Sequence, residues 1–353
     1  FKPWDSKVEG FVYDKEKAYF DLFVNTSDTY KHRHILELLL GIEQPCFFTG
    51  TTGVGKTVVI LNTLERLANQ GVVAINLNFS AQTTSLQTQQ SIEDKLEKSR
   101  VSFFPPPGKK VAIFVDDINM PKVEFYGAQP PIELLRLLVD RKGVFDRSDW
   151  EWKEVTGCTM IACAAPPGGG RAVVSPRLST HFNVLCMPTA NASVLDKIFK
   201  SILEGFLKTG FAEPIQATAS ACINSTIEIY NRIGEELRPT PAKFHYIFNL
   251  RDISKVCQGI LMSFPVSIQT TDQMAKLWLN ETARVFHDRL IDDNDRDWFI
   301  DLAMDLMSRE FRSSIDKDEV FGSSRVMVGD ILKLDAPKSC TKSLLTRRSC
   351  TRP

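Results

Sequence analysis

The sequence has no Cys-x-x-Cys pair, no surplus of either charge, no apolar run of membrane-spanning length and no sustained heptads. Each absence removes a class of function. The eight cysteines, Cys46, Cys158, Cys163, Cys186, Cys222, Cys257, Cys340 and Cys350, are scattered, several of them inside apolar runs such as Gln44-Pro45-Cys46-Phe47-Phe48. That is the pattern of reduced, partly buried intracellular thiols, not of a disulfide framework or a zinc site. Forty-three basic residues against 43 acidic ones give a net charge of zero, so no bulk field advertises nucleic acid or an anionic membrane. No stretch approaches the roughly 20 apolar residues of a spanning helix, and the start does not resemble a cleavable signal. Phe1 stands where an initiator methionine would, which reads as a fragment or a processed piece. No internal repeat is present.

What is present is enough for two or three domains: 353 residues, 43% of them hydrophobic. From Pro45 to Pro188 short apolar runs alternate with helical stretches, the signature of an α/β unit with a largely parallel sheet. The expected strands are Cys46 to Thr49, Val72 to Asn78, Val111 to Val115, Thr159 to Ala164 and Asn183 to Met187. Leu61, Leu64, Leu67 and Ala68 recur at helical spacing within Thr57 to Asn69. Pro130-Pro131 opens a second helix through Asp140, proline being tolerated in a first turn. Gly143 to Thr156 reads as an inserted hairpin. From Asn191 to about Arg312 the periodicity is helical almost throughout. The domains are therefore expected as a linker (1–33), the α/β subdomain (34–189), an all-helical lid (190–332) and a tail (333–353). From Lys333 onward six basic residues and one acidic one occur with no periodicity, a composition expected to be disordered.

Gly50-Thr51-Thr52-Gly53-Val54-Gly55-Lys56-Thr57 satisfies G-x-x-x-x-G-K-[ST] between an expected strand and an expected helix. The glycines let the backbone fold round phosphates with its N–H groups inward, and the helix start adds positive potential. Lys56 is expected to reach the β- and γ-phosphates and Thr57 to ligate Mg2+ through its hydroxyl. Downstream, Val111-Ala112-Ile113-Phe114-Val115 reads as a buried central strand that delivers Asp116 to the metal from its C-terminal end. The expected cofactors are ATP or ADP with Mg2+. Asp117 occupies the place where a water-activating glutamate is usual, and a carboxylate about an ångström short loses on the order of a hundredfold in rate. Slow or absent hydrolysis is the expectation.

Further stretches go beyond a generic phosphate loop: Asn78-Phe79-Ser80-Ala81-Gln82-Thr83-Thr84-Ser85, Phe114 to Pro121, Pro166-Pro167-Gly168-Gly169-Gly170-Arg171, Ser175 to Leu178 and Phe248 to Lys255. In these the chain, from about Phe11 to Leu332, resembles the third AAA+ module of axonemal dynein heavy chains. The resemblance implies an α/β large subdomain followed by a helical lid, within a ring of concatenated modules. It implies that Arg251 is sensor II, the lid arginine that contacts the γ-phosphate, and that the polar sensor I residue is replaced by Ala165. Arg171 and Arg177 fall near the edge where the family supplies an arginine finger to a neighbouring module. The implied partners are neighbouring AAA+ modules of one heavy chain and, through the parent protein, intermediate and light chains and microtubules, with no membrane and no nucleic acid. The implied location is the cytoplasm, the cytoskeleton and the ciliary axoneme. Three roles compete: a regulatory nucleotide site, a hydrolytically competent remodelling ATPase, and a structural ring element without nucleotide.

Overall fold

The structure, a computed structural model, describes residues 2–313, 315, 317–321, 326–329 and 343–346. The chain divides into two compact units: one holds residues 2–8 and 26–189, the other 9–25 and the described residues from 190 on.

After a 3-10 turn at Trp4–Lys7, the first α-helix of the first unit, α1 (Ser27–Gly41), starts inside the stretch read as linker (1–33) and runs on past it. Thr26 starts it: its hydroxyl accepts the Thr29 amide while the Thr29 hydroxyl accepts the Thr26 amide, a reciprocal cap that satisfies orphan donors. There follow β1 (Cys46–Thr49), α2 (Lys56–Ala68), β2 (Val72–Asn78), α3 (Ser85–Glu93), β3 (Glu97–Lys98), β4 (Ser102–Phe104) and β5 (Lys110–Asp116). Then come α4 (Pro130–Arg141), β6 (Gly143–Phe145), β7 (Trp152–Val155), β8 (Cys158–Ala164), α5 (Pro176–Ser179) and β9 (Asn183–Cys186).

Five of these strands form a parallel sheet in the order β2-β5-β8-β1-β9, at the places the apolar runs predict. Phe48, Phe114, Val115 and Ile161 are almost wholly buried, as central parallel strands require. The register pairs Asn78 with Asp116 and Thr49 with both Ala164 and Cys186, so the C-terminal ends of the strands share one edge. That edge of an open α/β sheet is where ligands collect. The hairpin β6–β7 joins β3 and β4 in a separate four-stranded sheet, order β3-β4-β7-β6.

The second unit is helical: α6 (Ala192–Leu207), α7 (Glu213–Gln216), α8 (Ala219–Glu236), α9 (Leu250–Leu261), α10 (Thr271–Val285), α11 (Asp293–Phe311) and α12 (Lys317–Phe321). Its core centres on Trp278, fully buried, whose indole Nε1 donates to Thr226 Oγ1 at 2.9 Å, the partner a buried indole needs. Leu22 and Val24, from the stretch read as linker, pack against Ile202 of this unit. β10 (Val326–Gly329) pairs antiparallel with β11 (Ser343–Thr346). The rest of the stretch from 333, read as a disordered tail, lies outside the described residues. Among the described residues no helix is long and apolar enough to cross a membrane.

Candidate functional site

β1 leaves the middle of the sheet between β8 and β9, and the chain passes through Gly50 to Gly55 into α2. At Gly50, with φ 152°, a Cβ would collide with the Met187 carbonyl oxygen, so no larger residue fits where the loop leaves the sheet. Gly55, at φ 89° and ψ 15°, is the N-cap of α2 and brings no side chain to it. Thr26, Thr84, Asn191, Asn249 and Thr270 close their helix starts with side-chain oxygens, whereas α2, like α4, α8 and α11, has no side-chain cap. The first amides of α2 therefore stand without a side-chain acceptor, at the positive end of a helix.

Lys56 is the first residue of α2 and only 8% exposed. Its Nζ donates to the carbonyl oxygens of Gly50 at 2.8 Å and Thr51 at 2.9 Å, so the ammonium lies over the loop it belongs to. Burial lowers its pKa, while Cys163, Asp117 and Asp116 work in the opposite direction and Arg171 adds to the lowering. The next residue, Thr57, donates its hydroxyl to Asp116 Oδ2 at 2.8 Å, joining the start of α2 to the end of β5. Asp116 Oδ1 accepts the Asp117 amide at 2.9 Å and the Cys163 thiol. Burial, reinforced by the Asp116 charge, pushes the Cys163 thiol well above its ordinary value, which keeps it a donor.

Asp117 turns away from the strand with φ 50°, a left-handed conformation that aspartate tolerates better than most residues. Its side chain is 42% exposed, and Oδ1 lies 4.0 Å from Arg171 Nε. Ala165, beyond the tip of β8, is buried and presents a methyl group where sensor I is expected; its carbonyl accepts Asn119 Nδ2 at 2.9 Å. Asn119 is 1% exposed, and its Oδ1 has no hydrogen-bond partner.

The structure thus brings Lys56, Thr57, Asp116 and Asp117 to one strand-end cluster in the first unit. Arg251 lies in the second unit, in the first turn of α9, where Asn249 accepts its amide at 2.9 Å. It is exposed and takes no part in the neighbouring Asp252 ion pairs, which go to Arg289 at 3.1 Å and Lys255 at 3.5 Å. Three contributors escape a linear reading: Cys163, Asn119, and Arg171 as a neighbour of this unit's own Asp117. The first becomes legible only once β8 is known to lie beside β5.

The cluster's chemistry fits a magnesium-bound triphosphate. Thr57 and Asp116 are hard oxygen donors, and among the described residues no group of three or more His, Cys, Asp or Glu could hold a metal unaided. Magnesium is held in this way by one or two protein oxygens together with the phosphates it accompanies.

Comparison with known proteins gives the same direction. A family described as the P-loop containing dynein motor region matches residues 11–190, and one described as the AAA+ lid domain matches residues 222–321. Human dynein axonemal heavy chain 6 is 43% identical over 339 residues, 96% of this chain and 8% of that protein. Human dynein axonemal heavy chain 10 is 37% identical over 330 residues, 93% of this chain and 7% of that protein. Mouse dynein axonemal heavy chain 1 is 37% identical over 361 residues, 98% and 8% respectively. The chain spans less than a tenth of the length of these curated relatives.

Proposed function

The chain belongs to the dynein heavy-chain motor family, as an AAA+ P-loop region with its lid, and from that premise we propose that it is a regulatory nucleotide module, the third of its motor. It binds ATP or ADP with magnesium and turns ATP over slowly or not at all. The observation that carries the binding half is the α2 start: no side chain caps it, Lys56 lies over the loop, and Thr57 is tied to Asp116. Orphan amides at a helix start are met by water or by a ligand, and the positive end of the helix favours an anionic ligand such as phosphate.

In this reading the amides of residues 50–57 and Lys56 hold the phosphate chain, while Thr57 and Asp116 hold the metal. Magnesium, when bound, neutralises charge on the β- and γ-oxygens. Arg251 serves as sensor II, its guanidinium suited to bidentate phosphate contact. Two features support slow hydrolysis. Asp117 is a methylene shorter than the usual base, and its carboxylate lies near a cation, Arg171. Ala165 offers no group to orient a water. A ligand that binds two lid positions with different affinity shifts their populations, which is how such a site would gate a hydrolytic site elsewhere in the parent chain.

The parent protein is proposed to act in microtubule-based ciliary movement in the axoneme. Its partners are neighbouring AAA+ modules, intermediate and light chains and microtubules. Single-turnover hydrolysis by the purified chain tests the regulatory half. The expected result is little conversion of bound ATP over minutes, with Asp117→Glu faster than the natural chain. Rapid turnover abolished by Asp117→Asn would favour the competent remodelling ATPase.

A further inference from the structure

The loop after β8 is built to present one side chain. Gly168, Gly169 and Gly170 take φ values of 128°, 56° and 86°, a reversal open to glycine alone. Gly168 and Arg171 exchange backbone hydrogen bonds of 3.2 and 3.1 Å across it. Both ends of the loop are pinned to the same buried residue: Asn119 Nδ2 donates to the Ala165 carbonyl at 2.9 Å, and the Asn119 carbonyl accepts the Ala172 amide at 3.0 Å. Arg171 consequently leaves a fixed backbone. Its side chain is 24% exposed and its Nε reaches to 4.0 Å from Asp117 Oδ1. That Nε is buried and has no hydrogen-bond partner.

Two cations, Lys56 and Arg171, thus flank the acidic strand end from different loops, and Arg171 is close enough to Lys56 to disfavour its charged form. Asp116 and Asp117 offset the repulsion between the two cations, so the demand that remains is that of the guanidinium. An unsatisfied, buried guanidinium N–H calls for an acceptor. A terminal phosphate oxygen supplies one, and guanidinium geometry suits it. The family resemblance implies that Arg171 falls near an edge serving a neighbouring module; its approach to Asp117 lies within its own unit.

We propose that Arg171 acts in cis, contacting the terminal phosphate of a nucleoside triphosphate at this unit's own site and replacing the polar group that Ala165 lacks. The inference rests on the nucleotide-site reading above. Asp117 holds the guanidinium at the strand end, and the phosphate takes it over when a triphosphate binds. A diphosphate offers no terminal oxygen at that position, so the residue makes the site discriminate ATP from ADP.

The 353 residues, purified as a monomer, supply one P-loop region and one lid, which separates action in cis from action in trans. Equilibrium titrations with labelled ATP and labelled ADP, both with Mg2+, are made on the natural chain, Arg171→Ala, Arg171→Lys and Lys56→Ala, with light scattering to select monomer and thermal melting to check folding. Arg171→Ala is expected to weaken ATP by about tenfold or more, the scale of one charge-assisted hydrogen bond, and ADP by less than about twofold. Arg171→Lys keeps the charge but not the fork and is expected to fall between them. Equal loss for both nucleotides, or no loss, while Lys56→Ala still abolishes binding, overturns the proposal for Arg171 and leaves the nucleotide site standing. A natural chain that binds neither nucleotide overturns both.

Discussion

Two aspartates in the first unit, Asp146 buried and Asp116 partly buried, have opposite surroundings. Asp146, in the turn between β6 and β7, is met by Lys153 at 2.8 Å and Lys98 at 2.5 Å, and its Oδ1 takes the Ser148 amide and hydroxyl. Asp116, at the end of β5, receives a hydroxyl from Thr57, a thiol from Cys163 and a backbone amide, all of them neutral. The fold neutralises Asp146 permanently. Asp116 it only orients, leaving a negative charge that a cation can still answer. A carboxylate with its own lysines is part of the scaffold, whereas one held by neutral donors beside an uncapped helix start is poised for a ligand that brings its metal. Asp146 is also the more deeply buried of the two, but the charge of the donors is what separates their chemistry.

That contrast can be broken by exchanging the charges. Asp116→Asn should remove about tenfold or more of the enhancement that Mg2+ gives to ATP binding, and shift the melting temperature by no more than about 2 °C. Magnesium titrations with labelled ATP read the first, and calorimetry the second. An Asp116→Asn chain whose magnesium response is intact would make the two carboxylates alike. Asp146→Asn should do the reverse, because it strands two lysines beside a neutral amide: the melting temperature falls by about 5 °C, with ATP affinity unchanged within about twofold. If affinity falls in step with stability, the inserted sheet and the phosphate site are not separable.

The smallest effect concerns pH. Lys153 first, then Lys98, hold the Asp146 carboxyl well below the usual carboxylate range. A group whose folded pKa is depressed stabilises the fold fully above its unfolded value, about 3.9, and loses that contribution progressively as pH falls below it. Melting curves should therefore show the natural chain losing its advantage over Asp146→Asn as the pH drops below about 4. A constant difference from pH 6 down to 3 would contradict the pairing.

Much of this architecture is legible in the residues. Val111 to Val115 is a continuous apolar run because its strand is buried on both faces, and the run reveals it directly. The phosphate loop is legible because glycine, lysine and threonine at that spacing have a chemical reason to be there. Other features are not. β3 and β4 have two and three residues, too short to display a period of two. α1 opens with threonine in both places of its capping box, a weaker signal than the usual glutamate. The Arg171 to Asp117 approach spans two loops on neighbouring strands. It follows from the order β5-β8 and a triple-glycine reversal, neither of which a linear motif contains. Asp146 and Asp116 are both aspartates ending apolar stretches, and only the fold gives one of them two lysine ion pairs and the other neutral hydrogen-bond donors.

The most direct test is a titration of the purified monomeric chain with labelled ATP, with and without Mg2+, beside Lys56→Ala. The account predicts saturable binding at one site, tightened by magnesium and weakened about a hundredfold or more in Lys56→Ala, with folding unchanged by circular dichroism. Absence of saturable binding in the natural chain, or equal affinity in Lys56→Ala, would contradict it.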